Sequence, residues 1–296
     1  MKTANMYGIE YSLPKVILLQ ETGIGTSEVA ARSAYDSFDK SENEIVKIIN
    51  NNIKNNMLIH DDMLAGLNGI EGSSLLDDLA WTYFHHSVLE HATLTYHISG
   101  ISRGVLQEQS RHRIQSLTVR STRYTMTPVI NVFIASMHSK DALDWFTNKM
   151  LDLDIFVTTG INYNKKEIAN IFTKLLDQRI ALGYEGFLDI ALSKSNRTSL
   201  AELDVMLQQN LPDKVFALLS GGKDKRNVGD AFKHIVNDNW KVDLVVSMNL
   251  RALKNYLGLR DSGAAYFQMR WLAEAINKAT PNKYLKLITK KIKEDV

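Results

Sequence analysis

Between Ala92 and Ser99 the chain alternates, with Leu94, Tyr96 and Ile98 on one parity and Thr93, Thr95 and His97 on the other. A period of two sends these sets to opposite faces of an extended strand, so a half-buried β-strand is predicted here. The β-branched runs "PKVILLQ" (14–20) and "VDLVVSM" (242–248) predict two further strands.

Elsewhere the apolar spacing is helical. "TSEVAARSAYDSF" (26–38) predicts a helix behind a Thr26/Ser27 cap, and "SENEIVKIINNNIKNN" (41–56) one opened by a capping box of Ser41 and Glu44. Further helices are predicted from about Ser74 to Phe84 and over "SRGVLQEQSRHR" (102–113), then an extended or turn segment through "STRYT" that Pro128 closes. Residues from about Ser139 to Lys233 read as mostly helical, and "SGGKDKRNVGD" (220–230) as an exposed loop. Asn249 is predicted to cap the helix "LRALKNYLGLR", and two more helices follow. There is no internal repeat or low-complexity segment. One domain over 1–296 is expected, with a helical insertion at about 135–230.

The 296 residues are 45% hydrophobic and 23% charged, and 35 basic against 33 acidic side chains leave a net charge of +2. That balance argues against a nucleic-acid coat or a membrane-surface polycation, so any basic patch is local. The apolar runs are too short for a bilayer span and no secretory h-region is evident, so a cytoplasmic protein is expected. The chain has no cysteine, which excludes disulfides, thiolate metal sites and cysteine nucleophiles.

Against this neutral background, Arg103, Arg111, Arg113, Arg120 and Arg123 fall within 21 residues, opposed only by Glu108. Arginine's planar fork suits phosphate and planar oxyanions. Ser116, Ser121, Thr122 and Tyr124 intersperse small donors, so an anionic ligand site is expected. His112, between two cations, is expected to be neutral. His85, His86, His91 and His97 lack metal-ligand spacing and read as hydrogen-bonded histidines beside a sheet, with no metal expected. The helix that carries Asn249, Arg251, Asn255 and Arg260 passes, taken by itself, for an amphipathic surface helix.

Taken together, these blocks resemble the flavin-dependent thymidylate synthases. Arg111-His112-Arg113, seven residues, then Ser121 and "TRY" is similar to that family's signature. "HHSVLEH" looks like its His-x-[Ser/Thr]-x-x-Glu-His block, "NLRALKNYLGLR" its Asn-x-Arg…Asn…Leu-x-Arg helix, and "AARSAYDSF" its first helix. The resemblance covers roughly 27–38, 79–128 and 230–275.

It implies an α/β fold of the α+β type: a central, mostly antiparallel sheet flanked by helices, with extra helices in the middle of the chain. It further implies FAD-dependent methylation of dUMP to dTMP, with methylenetetrahydrofolate and NADPH as co-substrates and a homotetramer with shared sites. Ser87, Glu90, Arg111, His112, Arg113, Ile114, Asn249, Arg251, Asn255 and Leu259 would line the FAD site. Glu108, Ser121, Thr122, Arg123, Lys233 and Arg260 would hold the nucleotide, and Arg260, Ser121 and His112 would stand at the chemistry. A chain without cysteine cannot activate uracil by thiolate addition, and cations facing charge on the pyrimidine oxygens are the alternative hardware.

The chain departs from the commoner signature at Thr118-Val119 (usually Asn-Glu), at Glu108 (usually Gln) and at Ala264 (usually His). Most of these departures match a branch with "LQE" before Arg-His-Arg. A carboxylate at 108 would match the exocyclic amine of cytosine, so dCMP is an alternative substrate. A non-catalytic anion- or nucleic-acid-binding protein is the alternative from a different class.

Overall fold

The computed structural model describes residues 2–191, 205, 209–220 and 226–289; the side chains of 122–124, 226 and 227 are not among those described. In chain order the elements begin with strands β1 (Thr3–Met6), β2 (Ile9–Ser12) and β3 (Lys15–Glu21). Helices α1 (Gly25–Ala34), α2 (Glu44–Lys54), α3 (Asp61–Asn68) and α4 (Ser74–Trp81) follow, then a 3-10 stretch, His86–His91. Next come β4 (Thr93–Ser102), α5 (Arg103–Ser110), β5 (Ser116–Val119), α6 (Thr122–Ser136), α7 (Ala142–Asp152) and α8 (Ile161–Ala191). The chain continues with α9 (Pro212–Ser220), α10 (Arg226–Ala231), β6 (Lys241–Asn249), α11 (Leu250–Arg260), α12 (Phe267–Ala279) and α13 (Asn282–Ile288). None of the described helices is long and apolar enough to cross a membrane.

By contact the chain forms two compact units. One comprises Pro14–Ile101, Val105–Val119 and Asp243–Val296. Its sheet has the order β3-β4-β6-β5. Strands β3 and β4 pair antiparallel, Val16 opposite Ile98 and Leu18 opposite Tyr96, and so do β5 and β6, Ser116 opposite Ser247. Between β4 and β6, the hydroxyls of Thr95 and Ser247 meet at 2.8 Å while the Gly100 amide donates to Asp243 at 3.1 Å, so these strands also run in opposite directions. An antiparallel sheet flanked by helices is the α+β arrangement predicted.

The alternation in β4 holds residue for residue: Leu94, Tyr96 and Ile98 are buried, as are Leu244 and Val246 beside them. Each such aliphatic side chain contributes about 1.5–3 kcal/mol of burial free energy. The Tyr96 hydroxyl meets Thr280, just past α12, at 2.8 Å. Asn249 caps α11 as expected, its side-chain oxygen accepting from the Ala252 amide at 2.8 Å.

Two helix starts differ from prediction. Helix α1 opens at Gly25 behind Ile24 with no side-chain cap, and Thr26 and Ser27 lie inside its first turn. A Cβ at Gly25 would lie 2.4 Å from the Leu67 carbonyl, so close approach to the α3 segment fixes where the helix begins. The Ser41/Glu44 capping box does not form: Asn43 precedes α2 without a side-chain cap. Ser41 and Asn43 instead donate to the buried carboxylate of Glu28, at 2.7 and 2.6 Å. A buried anion needs those donors more than an exposed helix start does.

The other unit comprises Met1–Leu13, Ser102–Gly104 and Arg120–Val242. Here the antiparallel hairpin β1–β2, which has no counterpart among the predicted elements, hydrogen-bonds through the Ser12 amide to the Val157 carbonyl at 2.7 Å. Phe133 packs against Phe146, Phe172 and Phe187 with ring centroids 5.5–6.1 Å apart. That cluster overturns the turn expected before Pro128, because α6 runs straight through the proline. Burying Met126, Val129, Ile130, Val132 and Phe133 in one core outweighs the roughly 3 kcal/mol an interior proline costs. The loop expected at 220–230 is also corrected in part: 226–231 is helical, and 221–225 lie outside the described residues.

Replacing Asn249 by Ala should destabilise the protein by about 0.5–2 kcal/mol through loss of the α11 cap, while Asn249→Asp or Asn249→Ser should restore most of it. Urea unfolding of the three variants checks this.

Candidate active site

The turn that carries Arg111, His112 and Arg113 is held by two glutamines. The Gln109 side-chain amide donates to Gln115 Oε1 at 2.8 Å, and the Gln115 amide donates back to the Gln109 carbonyl at 2.6 Å. Gln109 is fully buried, so this exchange closes the loop between α5 and β5 in a fixed shape. Facing it, α11 presents Arg251, Asn255 and Leu259 at intervals of four residues, which places them on one helical face.

Between these elements lies a cavity of about 830 Å³, lined by Arg111, His112, Arg113 and Ile114 from the turn and Arg251, Asn255, Leu259 and Arg260 from α11. This is the upper range of small-molecule and cofactor pockets. Its walls combine four guanidinium groups with Ile114 and Leu259, 66% and 55% exposed, suiting a ligand that is anionic at one part and a flat apolar ring at another. All of it belongs to the sheet-bearing unit.

Arg260 organises the polar wall. Its Nε donates to His112 Nε2 at 3.0 Å, and its Nη2 lies 3.2 Å from the Glu108 carboxylate. Glu108 also accepts from Arg111 Nη1 at 3.0 and 3.2 Å. The His112 ring meets Tyr256 edge-on, with centroids 4.8 Å apart. Burial pushes the His112 imidazolium below its ordinary range, Arg260 and Arg111 push the same way, and Glu108 opposes them. The neutrality expected of His112 from neighbouring cations is therefore owed first to burial.

Other predicted residues take structural partners. Glu90 pairs with Arg251, and Asn249 spends its side-chain oxygen on the α11 cap. Ser87 lies exposed in the 3-10 stretch beside Glu90. Ser121 and Lys233 belong to the helical unit, Lys233 exposed in a short 3-10 turn; the side chains of Thr122 and Arg123 lie outside the described residues.

The cavity also includes His86, which the sequence suggested only as a hydrogen-bonded histidine beside a sheet, and Met248, Ala252 and Lys254, which it did not single out. Lys254 Nζ sits 3.7 Å from the Trp81 ring centroid, donates to the Ala80 carbonyl at 3.1 Å and lies 3.2 Å from His86 Nε2. Burial pushes its ammonium below the usual lysine range. Its place one residue from Asn255 was the available signal, but the residues it touches come from a distant part of the chain.

His112 gives a test by pH. Its folded-state pKa is depressed, so the unfolded chain takes up a proton, near about pH 6.5, that the folded protein resists. The stability it contributes is present above that pH and is lost as pH falls through the lower folded value. In His112→Gln that part of the decline should disappear, as urea midpoints of both proteins between about pH 5 and about pH 8 would show.

Comparison with known proteins gives one family. A family model described as thymidylate synthase complementing protein matches residues 18–283. A flavin-dependent thymidylate synthase of Wolinella succinogenes is 26% identical over 269 residues, covering 91% of this chain and 94% of that protein. One from Helicobacter pylori is 28% identical over 216 residues, covering 73% and 80%. Among solved structures, thymidylate synthase X from Helicobacter pylori with FAD and dUMP is similar with a TM-score of 0.55 at 23% identity, over 93% of this chain and 97% of that one.

Proposed function

The chain belongs to the family of flavin-dependent thymidylate synthases, and we propose that it methylates dUMP to dTMP with FAD as its cofactor. The observation that carries this reading is the single cavity in which Arg111, His112, Arg113, Arg251, Asn255, Leu259 and Arg260 converge. Its volume, its guanidinium groups and its apolar patches suit a dinucleotide with a flat ring system. When bound, FAD supplies the hydride that completes the transferred one-carbon unit as a methyl group. Methylenetetrahydrofolate provides that carbon, and NADPH with one proton provides the reducing equivalents, so the products are dTMP, tetrahydrofolate and NADP⁺.

The residues do the binding and the electrostatics. Arg111, Arg113 and Arg251 hold the diphosphate and polar ring edges, with Ser87, Glu90, Asn249 and Asn255 completing the polar contacts. Ile114 and Leu259 cover apolar ring surface. Arg260 stabilises negative charge developing on the pyrimidine oxygens, aided by His112, and a fixed cation does so without reorganisation. Ser121, Thr122, Arg123 and Lys233 are assigned to the nucleotide on the resemblance of their sequence blocks. We further read the protein as a cytoplasmic homotetramer, and the helices of about 135–230 as an insertion within the family's domain.

Purified protein should be yellow, or become so with added FAD, bleach under anaerobic NADPH, and convert dUMP to a product of dTMP mass. Protein that takes up no FAD and binds DNA with a steep salt dependence would replace the enzyme with an anion-binding protein. Turnover of dCMP in place of dUMP would keep the flavin chemistry and change the substrate.

A second test divides the arginines. Arg111→Ala should lose FAD. Arg123→Ala should keep FAD and weaken dUMP binding by about 1.5–3 kcal/mol, the worth of a charged hydrogen bond. Flavin loading by absorbance and dUMP titration by calorimetry separate the two; loss of flavin in Arg123→Ala with dUMP affinity intact would reverse the assignment.

A further inference from the structure

We infer that Glu108 is a positioning residue: its carboxylate clamps Arg260 and Arg111, and through Arg260 it holds His112 as a neutral imidazole with its proton on Nδ1. The inference deepens the flavin reading and depends on it for its catalytic meaning. The clamp itself is a matter of geometry. Glu108 stands in the last turn of α5, and both its oxygens lie within 3.2 Å of Arg111 Nη1. One of them also lies 3.2 Å from Nη2 of Arg260, which reaches it from the end of α11, far away in sequence.

The tautomer follows from arginine's chemistry. A guanidinium donates hydrogen bonds, offers no lone pair and keeps its protons at any accessible pH. Arg260 Nε approaches His112 Nε2 at 3.0 Å, so Nε2 must present its lone pair and the one proton of the neutral ring must sit on Nδ1. Burial and the two arginines disfavour a second proton. Tyr256 braces the ring edge-on from within the core.

Glu108 is what makes this arrangement stable. Arg111, Arg113 and Arg260 line one cavity, and bare guanidiniums there would repel one another. Glu108 supplies the negative charge between two of them. The Arg260 side of the clamp matters more: Arg260 is 19% exposed, Arg111 71%, so water and salt screen the latter contact further. In this arrangement Glu108 acts through Arg260 on His112.

Ring-nitrogen NMR of histidine-labelled full-length protein, without flavin or nucleotide, tests this apart from the enzymatic reading. The His112 signal is identified by its loss in His112→Gln. The wild-type protein should show His112 as the Nδ1–H tautomer. Glu108→Ala should shift it towards Nε2–H, Glu108→Asp should restore Nδ1–H at least in part, and Glu108→Gln, which lacks the charge to bridge two arginines, should resemble Ala. Should Ala fail to fold, the Gln and Asp pair carries the same contrast. A wild-type Nε2–H signal overturns the inference, as does a tautomer unmoved in both Ala and Gln. The failure of FAD uptake in wild-type protein would count against the flavin reading and leave this result standing.

Discussion

Like charges brought together on a folded surface must be neutralised, separated by water or satisfied by a ligand, and this chain concentrates five arginines between positions 103 and 123. Among the described residues, acidic side chains meet some of these arginines and those of α11. Glu108 bridges Arg111 and Arg260, Glu90 pairs with Arg251, and Arg113 stands in the cavity wall. The acidic partners hold the arginines in place without cancelling them all. The cavity therefore keeps a positive field fixed before any ligand arrives, and fixed cations can stabilise developing negative charge without the cost of reorienting.

Such a field requires a rigid frame, and the frame is built from ordinary parts. The sheet-bearing unit buries one face of β4 and β6 against helices, which anchors the strand that ends in Met248 and Asn249. Asn249 then starts α11 through its cap, and the buried Leu250, Leu253, Tyr256 and Leu257 hold the helix so that Arg251, Asn255 and Arg260 project from it at a fixed angle. The Gln109–Gln115 exchange does the same for the Arg111–Ile114 turn. Each device uses a polar side chain to satisfy the backbone or another amide at a junction between elements, where ladders cannot.

The same competition for donors explains the helix starts that local rules misplaced. Ser41 and Asn43 carry the chemistry of caps, yet the buried Glu28 carboxylate takes both, because Arg32 alone leaves lone pairs of a buried anion unsatisfied, which costs more than an uncapped helix exposed to water. At Pro128 the balance is between a lost backbone bond and an aromatic core centred on Phe133, and the core prevails. The hairpin β1–β2 is short, and its strands carry too little alternation to stand out from a polar N-terminal stretch.

Much was legible in the residues themselves. Alternation determined β4, β-branched runs determined β3 and β6, Asn249 marked the start of α11, and the absence of cysteine removed whole classes of chemistry. The blocks around Arg111, His91 and Asn249 carried the family. These are properties of neighbouring positions, where period and residue type act directly on the backbone. What tertiary structure decided is who meets whom across distance: Glu108 with Arg260, Lys254 with Trp81 and His86, and Glu28 with Ser41 and Asn43. A charge or a donor has several possible partners in a sequence, and which one it takes depends on burial and approach, which exist only once the chain has folded.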